Sequence, residues 1–170
     1  MMSKQVLIMR HAKSSWDEPS MRDYDRPLNR RGLRVTPQIA QFVDENGIWP
    51  DLIVSSTANR AQTTAELFIQ SCPSNRSTEL EFNRDFYLAA ADVYTDFLLE
   101  MHRDEVNRLM LVGHNPGLEE LVESLSGSYE SMPTAAIAHF DLQVDSWMEL
   151  NSELPASLFD VYRPKELDIR

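Results

Sequence analysis

Three short apolar runs, QVLIM at residues 5–9, DLIVS at 51–55 and RLMLVG at 108–113, end at polar or glycine residues and are separated by stretches of helical periodicity. Nothing else in the chain restricts its folding as much. Short apolar runs bounded in this way read as strands buried on both faces, and such strands belong to parallel sheets whose connections are helices. Amphipathic helices are expected at 29–46, 58–70, 92–103 and 117–126. Further strands are expected at 79–82 and 136–142, then a turn near Asp145-Ser146 and an edge strand near 161–163. Strand alternates with helix along the chain, so the expected class is α/β, layered, with a mainly parallel sheet. Gly47 reads as the stop of the first helix, and Pro37 should kink that helix or mark a second start within it.

The 170 residues suit a single domain, 1–170, with no repeat or low-complexity linker to divide it. No window approaches the ~18 uninterrupted apolar residues of a membrane span. The first residues lack a basic segment leading into an apolar core and cleavage site, so no signal peptide is expected. Cys72 is the only cysteine, which rules out an internal disulfide and, with no Cys/His pairing around it, a structural zinc site. These features fit a cytoplasmic protein, and size alone makes a monomer the default.

The net charge of −11 argues against a general nucleic-acid or acidic-membrane surface, because phosphate backbones reward clustered cations. The charge is uneven, however. Residues 1–34 hold eight Lys or Arg against four Asp or Glu, a local cationic region in an acidic protein. Part of it has a plain explanation, since Arg30, Arg31 and Arg34 read as a solvated helix face.

In open α/β sheets, ligands bind beyond the carboxyl ends of the strands. Arg10 and His11 follow the first strand, Arg60 follows the second at the start of a helix, and His114 follows RLMLVG directly. Two arginines and two histidines meeting at one edge, with no matching carboxylates, make an anion site, most economically one for phosphate. Neutral imidazole is also a nucleophile at neutral pH if its second nitrogen is held as N–H. His11 could therefore attack phosphorus, and activity should fail as acid protonates it. Gly113 and Gly117 would allow a tight turn at His114, and the helix beginning LEELVESL would aim its N-terminal amides towards an anion. His102 and His139 lack a neighbouring arginine at a strand end and read as structural.

The blocks MRHAKSSW, DRPLNRRG, SSTANRAQTTAE, VGHNPGLEELVESL and MPTAAIAHF carry a family resemblance across residues 5–140. The chain resembles the histidine phosphatase superfamily, and within it the SixA-like phosphohistidine phosphatases. The resemblance implies a minimal phosphoglycerate mutase-like fold, a three-layer sandwich around the sheet. It implies that His11 is the phosphorylated nucleophile, that Arg10 and Arg60 clamp the phosphoryl oxygens, and that His114 binds the phosphoryl group. Arg26, in DRPL, would face the same pocket. Ala12 stands where the superfamily usually has glycine, and Thr63 where it often has glutamine.

Superfamily members that cleave phosphate esters place a carboxylic acid after the third strand to protonate the departing alkoxide. Here that region reads FNRDFYLAAAD, which resembles the short branch that lacks the acid. Asp85 reads as a solvated loop residue and Asp92 as a helix N-cap. A missing acid favours a good leaving group such as the imidazole of a phosphohistidine. The absence of a long insertion after FYLAA points to an open site, as a protein-borne substrate requires.

Other designs fail on spacing. A cysteine phosphatase needs five residues between its cysteine and arginine, whereas Arg76 is four positions after Cys72. No phosphate loop of the GxxxxGK[ST] type occurs, and the histidines lack metal-ligand spacing with carboxylates, so neither metal nor cofactor is expected. Trp16 reads as a packing or rim residue. The expected partner is a phosphohistidine-bearing protein, with phosphate or another oxyanion in the site. The alternatives are a phosphatase of small esters or other phosphorylated metabolites, and a non-catalytic phosphoprotein-binding domain.

Overall fold

A computed structural model describes residues 3–170. Six strands form one sheet: β1 (Gln5–Arg10), β2 (Leu52–Ser56), β3 (Glu79–Asn83), β4 (Arg108–Gly113), β5 (Ile137–Asp141) and β6 (Ser157–Tyr162). Their order across the sheet is β3-β2-β4-β1-β5-β6. The first four are mutually parallel, while β5 runs antiparallel to β1 and β6 antiparallel to β5. Four helices connect them: α1 (Arg30–Glu45), α2 (Asn59–Gln70), α3 (Ala91–Leu99) and α4 (Gly117–Ser126).

Alternation along each strand divides the core in two. Val6, Ile8, Leu109 and Leu111 face α3 and α4, meeting Tyr94, Leu98, Leu118 and Leu121. Leu7, Met9, Met110 and Val112 face α1 and α2, meeting Val35, Ile39, Val43, Ala61, Ala65 and Phe68. Helices on both faces explain why the central strands read as unbroken apolar runs, and the result is the layered α/β structure that the alternation predicts, in the three-layer form that the resemblance implies.

Four local expectations are corrected. Helix α1 runs through Pro37 as one element, so the proline does not mark a second start. Burial of Val35, Ile39 and Val43 on either side of the proline outweighs the one hydrogen bond it removes. Helix α3 stops at Leu99 instead of continuing to 103, because the residues after it are held by distant partners. Met101 and Val106 enter the core, and Asp104 accepts from the Ser146 hydroxyl and the Trp147 amide. Asp92 lies inside the first turn of α3, whose N-cap is Ala90. The last strand is longer than the expected 161–163, pairing with β5 from Ser157 onwards through an irregularity at His139/Phe140.

Candidate active site

Parallel pairing of β1 with β4 places Arg10 opposite Gly113, so the next residues of the two strands, His11 and His114, leave the sheet side by side. Their rings lie 5.1 Å apart at 54°. Arg60, in the first turn of α2 beyond β2, is almost fully buried beside them. Together with Arg10 and Arg26 these side chains line a cavity of about 180 Å³, completed by Lys13, Ser14, Trp16, Leu88, Asn115 and Thr134. All five residues singled out in the sequence are therefore brought to one pocket.

The His11 ring is held in one orientation. Its Nδ1 lies 2.7 Å from the Ala12 carbonyl, an atom that can only accept, so Nδ1 carries the proton and Nε2 carries the lone pair. Arg60 Nε–H donates to that Nε2 at 3.2 Å. Burial pushes the His11 pKa down to about 3, against the pull of the Ala12 carbonyl and with help from the charges of Arg60, Arg10 and Arg26. The imidazole is neutral at any ordinary pH. Thr64 fixes the turn beneath it, its hydroxyl accepting from the Ala12 amide at 3.0 Å and donating to the Arg60 carbonyl at 2.6 Å.

His114 is equally buried, and its pKa is also driven down to about 3 by burial and then by His11, Arg60 and Arg10, with Asp23 opposing. Its Nε2 lies 2.8 Å from the Ser56 hydroxyl, whose oxygen also receives the Ala58 amide. Ser56 can thus accept from Ala58 and donate to Nε2, which leaves a proton on Nδ1. That Nδ1, with Arg10 Nε and Asn115 Oδ1, is buried without a protein partner among the described residues. Buried polar atoms are nearly always paired, so three unpaired ones on pocket-lining residues mark a place built for a polar ligand.

One expectation about the electrostatics is overturned. The arginines do have a carboxylate, Asp23, from the long loop between β1 and α1. It takes Arg60 Nη2 at 3.0 Å, Arg26 Nη1 at 2.9 Å and the Tyr87 hydroxyl at 2.8 Å, while its backbone carbonyl takes Arg60 Nη1 at 2.6 Å. Burial pushes its pKa up, but the bonds from Tyr87 and Arg26 and the charge of Arg60 outweigh that and hold it at about 2. Asp23 is therefore ionised, unable to donate a proton, and positions both guanidinium groups. Nothing in its sequence neighbourhood separates it from the solvated acids around it, because its partners lie as far away as Arg60 and Tyr87.

Two further expectations change in their reason. Gly113 and Gly117 do not adopt left-handed backbone; they permit close approach. A Cβ at Gly113 would meet the Tyr94 hydroxyl, and one at Gly117 the Ala89 carbonyl. Nor do residues of α4 line the cavity. The Leu118 amide bonds the His114 carbonyl, and it is the side chains of His114 and Asn115 that line the cavity.

The MPTAA block has a structural task as well. Ala135 has a positive φ of 64° and directs its amide to the carbonyls of Arg10 and His11, while Thr134 lines the pocket. Leu88, also at positive φ, stands at the rim. Strained backbone of this kind gathers at functional sites. Trp16 is a rim residue, 70% exposed and stacked over Arg26 with the guanidinium 3.2 Å from the ring centroid. Asp85 and Asp92 are both exposed and outside the cavity, and no Asp or Glu among the described residues lines it.

A buried neutral histidine whose unprotonated Nε2 accepts from Arg60, surrounded by three arginines at the carboxyl edge of a parallel sheet, defines the class: a phosphoryl-handling enzyme with a histidine at its centre. Comparison with known proteins gives the family. The model of the histidine phosphatase superfamily (branch 1) matches residues 6–85. An uncharacterised chloroplast protein of Arabidopsis thaliana is 32% identical over 153 residues, covering 86% of this chain and 70% of that one. The crystal structure of SixA from Agrobacterium tumefaciens, provisionally assigned as a phosphohistidine phosphatase, superposes with a TM-score of 0.79 at 29% identity, covering 96% of this chain and all of that one. The protein histidine phosphatase SixA complexed with tungstate shares the fold at the same TM-score of 0.79 and 22% identity, covering 96% of this chain and 99% of that one. Phosphatases of small metabolites share the fold at TM-scores of 0.65 and below. The chain belongs to the histidine phosphatase superfamily and is a phosphatase of the phosphoglycerate mutase-like fold.

Proposed function

We propose that the protein hydrolyses phosphohistidine on other proteins through a phosphorylated His11. The observation that carries this reading is the absence of any carboxyl group from the lining of the pocket that holds His11, among the described residues. An alkoxide leaving from a phosphate ester needs a proton donor. Phosphohistidine does not, because the second nitrogen of its imidazole can hold a proton before the P–N bond breaks, and the ring then leaves as neutral imidazole.

In the first step the Arg60 Nε–H hydrogen bond passes from His11 Nε2 to a phosphoryl oxygen, and the released Nε2 lone pair forms the new P–N bond while the substrate P–N bond breaks in line, its electron pair leaving with the substrate ring. Arg10, Arg26 and Arg60 neutralise the phosphoryl oxygens, and His114 donates through the nitrogen left free by Ser56. In the second step water attacks phosphorus, the bond to Nε2 breaks, and both protons of the water leave with the product as dihydrogen phosphate. His11 regains its lone pair, with Nδ1–H still on the Ala12 carbonyl. The similarity to the Agrobacterium tumefaciens SixA supports this substrate class.

The test is phosphate release from a phosphohistidine-bearing protein and from p-nitrophenyl phosphate, side by side, for the wild type and His11→Ala. Release from the phosphohistidine protein alone, abolished in the variant, is expected. Equal turnover of the ester would overturn the reading in favour of a small-ester phosphatase, and binding without turnover would make the domain a phosphoprotein reader.

A further inference from the structure

Lys13, Ser14 and Trp16 line a second, larger groove as well as the phosphate pocket. It measures about 720 Å³ and its far wall is the start of α1, with Arg30, Arg31 and Leu33. A small phosphorylated molecule would be accommodated by the 180 Å³ pocket and would have no use for an adjoining space four times as large.

The charges in the groove are unusual for this molecule. Eleven of its sixteen Lys and Arg side chains donate to a carboxylate, carbonyl or amide oxygen. Among the described residues the remaining five are Lys13, Arg30, Arg31, Arg84 and Lys165, and three of these line this one groove. A single carboxylate, Asp17, lies with them. Arg30 and Arg31 also occupy the first turn of α1, where the aligned peptide dipoles disfavour cations. Local preference is broken there without a gain in the fold, as happens at places kept for function. Between the cations stand two large exposed apolar side chains, Trp16 and Leu33.

Unpaired cations around an exposed aromatic and a leucine fit an acidic polypeptide with an apolar anchor. We infer that this groove docks the segment of the substrate protein flanking its phosphohistidine, and that the segment is acidic. The inference rests on the phosphohistidine reading and adds to it the chemistry by which the partner is chosen. In a protein of net charge −11, an acidic partner meets attraction instead of repulsion at this groove, which adjoins the phosphate pocket.

The test uses three probes: a phosphohistidine peptide flanked by glutamates, the same peptide flanked by lysines, and phosphoimidazole. The wild type should show a kcat/KM at least tenfold higher for the glutamate peptide than for the lysine peptide, and the advantage should shrink as salt is added. Arg30→Glu/Arg31→Glu should abolish that preference and leave phosphoimidazole turnover unchanged. Folding is not at risk, since carboxylates suit the first turn of a helix. Equal wild-type rates on the two peptides would overturn the docking inference while leaving the phosphohistidine reading intact, as would a preference that persisted in the variant. An equal loss on phosphoimidazole would overturn it too, by assigning the arginines to the phosphoryl pocket. Failure of the wild type to release phosphate from any of the three would refute the phosphohistidine reading itself, and the docking inference with it.

Discussion

His11 is held in one orientation and one tautomer by two contacts, the Ala12 carbonyl on Nδ1 and the Arg60 donor on Nε2, within a setting that refuses a second proton. Free imidazole titrates near ~6.5, whereas His11 is displaced to about 3. The acid loss of activity expected from the sequence is therefore moved to much lower pH. Ring-proton NMR of the ligand-free protein should show His11 neutral from pH 8 to below 5, and a ring titrating near neutrality would contradict this. Asp23 acts at the same scale through Arg60 and Arg26. Asp23→Ala should lower kcat/KM by ~10–100-fold, since small misplacements of a charge clamp are that costly, with an unchanged circular dichroism spectrum. Wild-type turnover in that variant would mean the arginines need no anchor. The quartet Arg10, His11, Arg60 and His114 was legible in the sequence because each follows a recognisable strand. Asp23 was not, because a carboxylate in a polar loop becomes special only through partners brought to it by folding.

At the scale of elements, the site depends on how closely α4 and the 86–90 segment approach. Gly117 abuts the Ala89 carbonyl, and Gly113 the Tyr94 hydroxyl. Gly117→Ala would force backbone against backbone and should destabilise the protein by ~1–3 kcal/mol, read as a lower urea midpoint. Because His114 precedes that helix and Leu88 lies on the facing segment, phosphate affinity should fall as well. An unchanged midpoint would show that the two segments part freely. Whereas β6 begins four residues before the expected 161, the positions of β1 to β5 and the starts of α1, α2 and α4 emerged from local pattern to within a residue or two. The end of α3 did not, since Met101, Asp104 and Val106 answer to the 146–147 turn and the core, not to their neighbours in sequence.

Across the whole molecule, three histidines are buried in the neutral form: His11 and His114 with pKa values of about 3 and His139 at about 4, all mainly through burial. In the unfolded chain they bind protons near ~6.5. Between the folded and unfolded values the unfolded state holds more protons, so stability is full above the unfolded value and falls as the pH drops towards the folded ones. Asp23, held at about 2, loses its own contribution only at still lower pH and does not offset the trend. The urea midpoint should fall between pH 7 and pH 5, and less steeply in His139→Gln, which lies outside the phosphate pocket. A flat midpoint over that interval would show that the rings are solvated. The acidity of the molecule belongs to this scale too, because a net charge of −11 makes a cationic groove beside the pocket selective in a way a neutral protein would not.

The order of apolar runs and the residues that end them determined the α/β class, the sheet edge that carries the site, and the cationic and imidazole groups gathered there. Those properties are local, set by which side chains must leave water and where each strand stops. Only the tertiary structure decided that Asp23 holds two arginines, that the glycines serve close approach, and that Lys13, Arg30 and Arg31 line one groove beside the pocket. Each of these joins atoms from separate stretches of chain, and an interaction energy that depends on distance has no value until folding sets that distance.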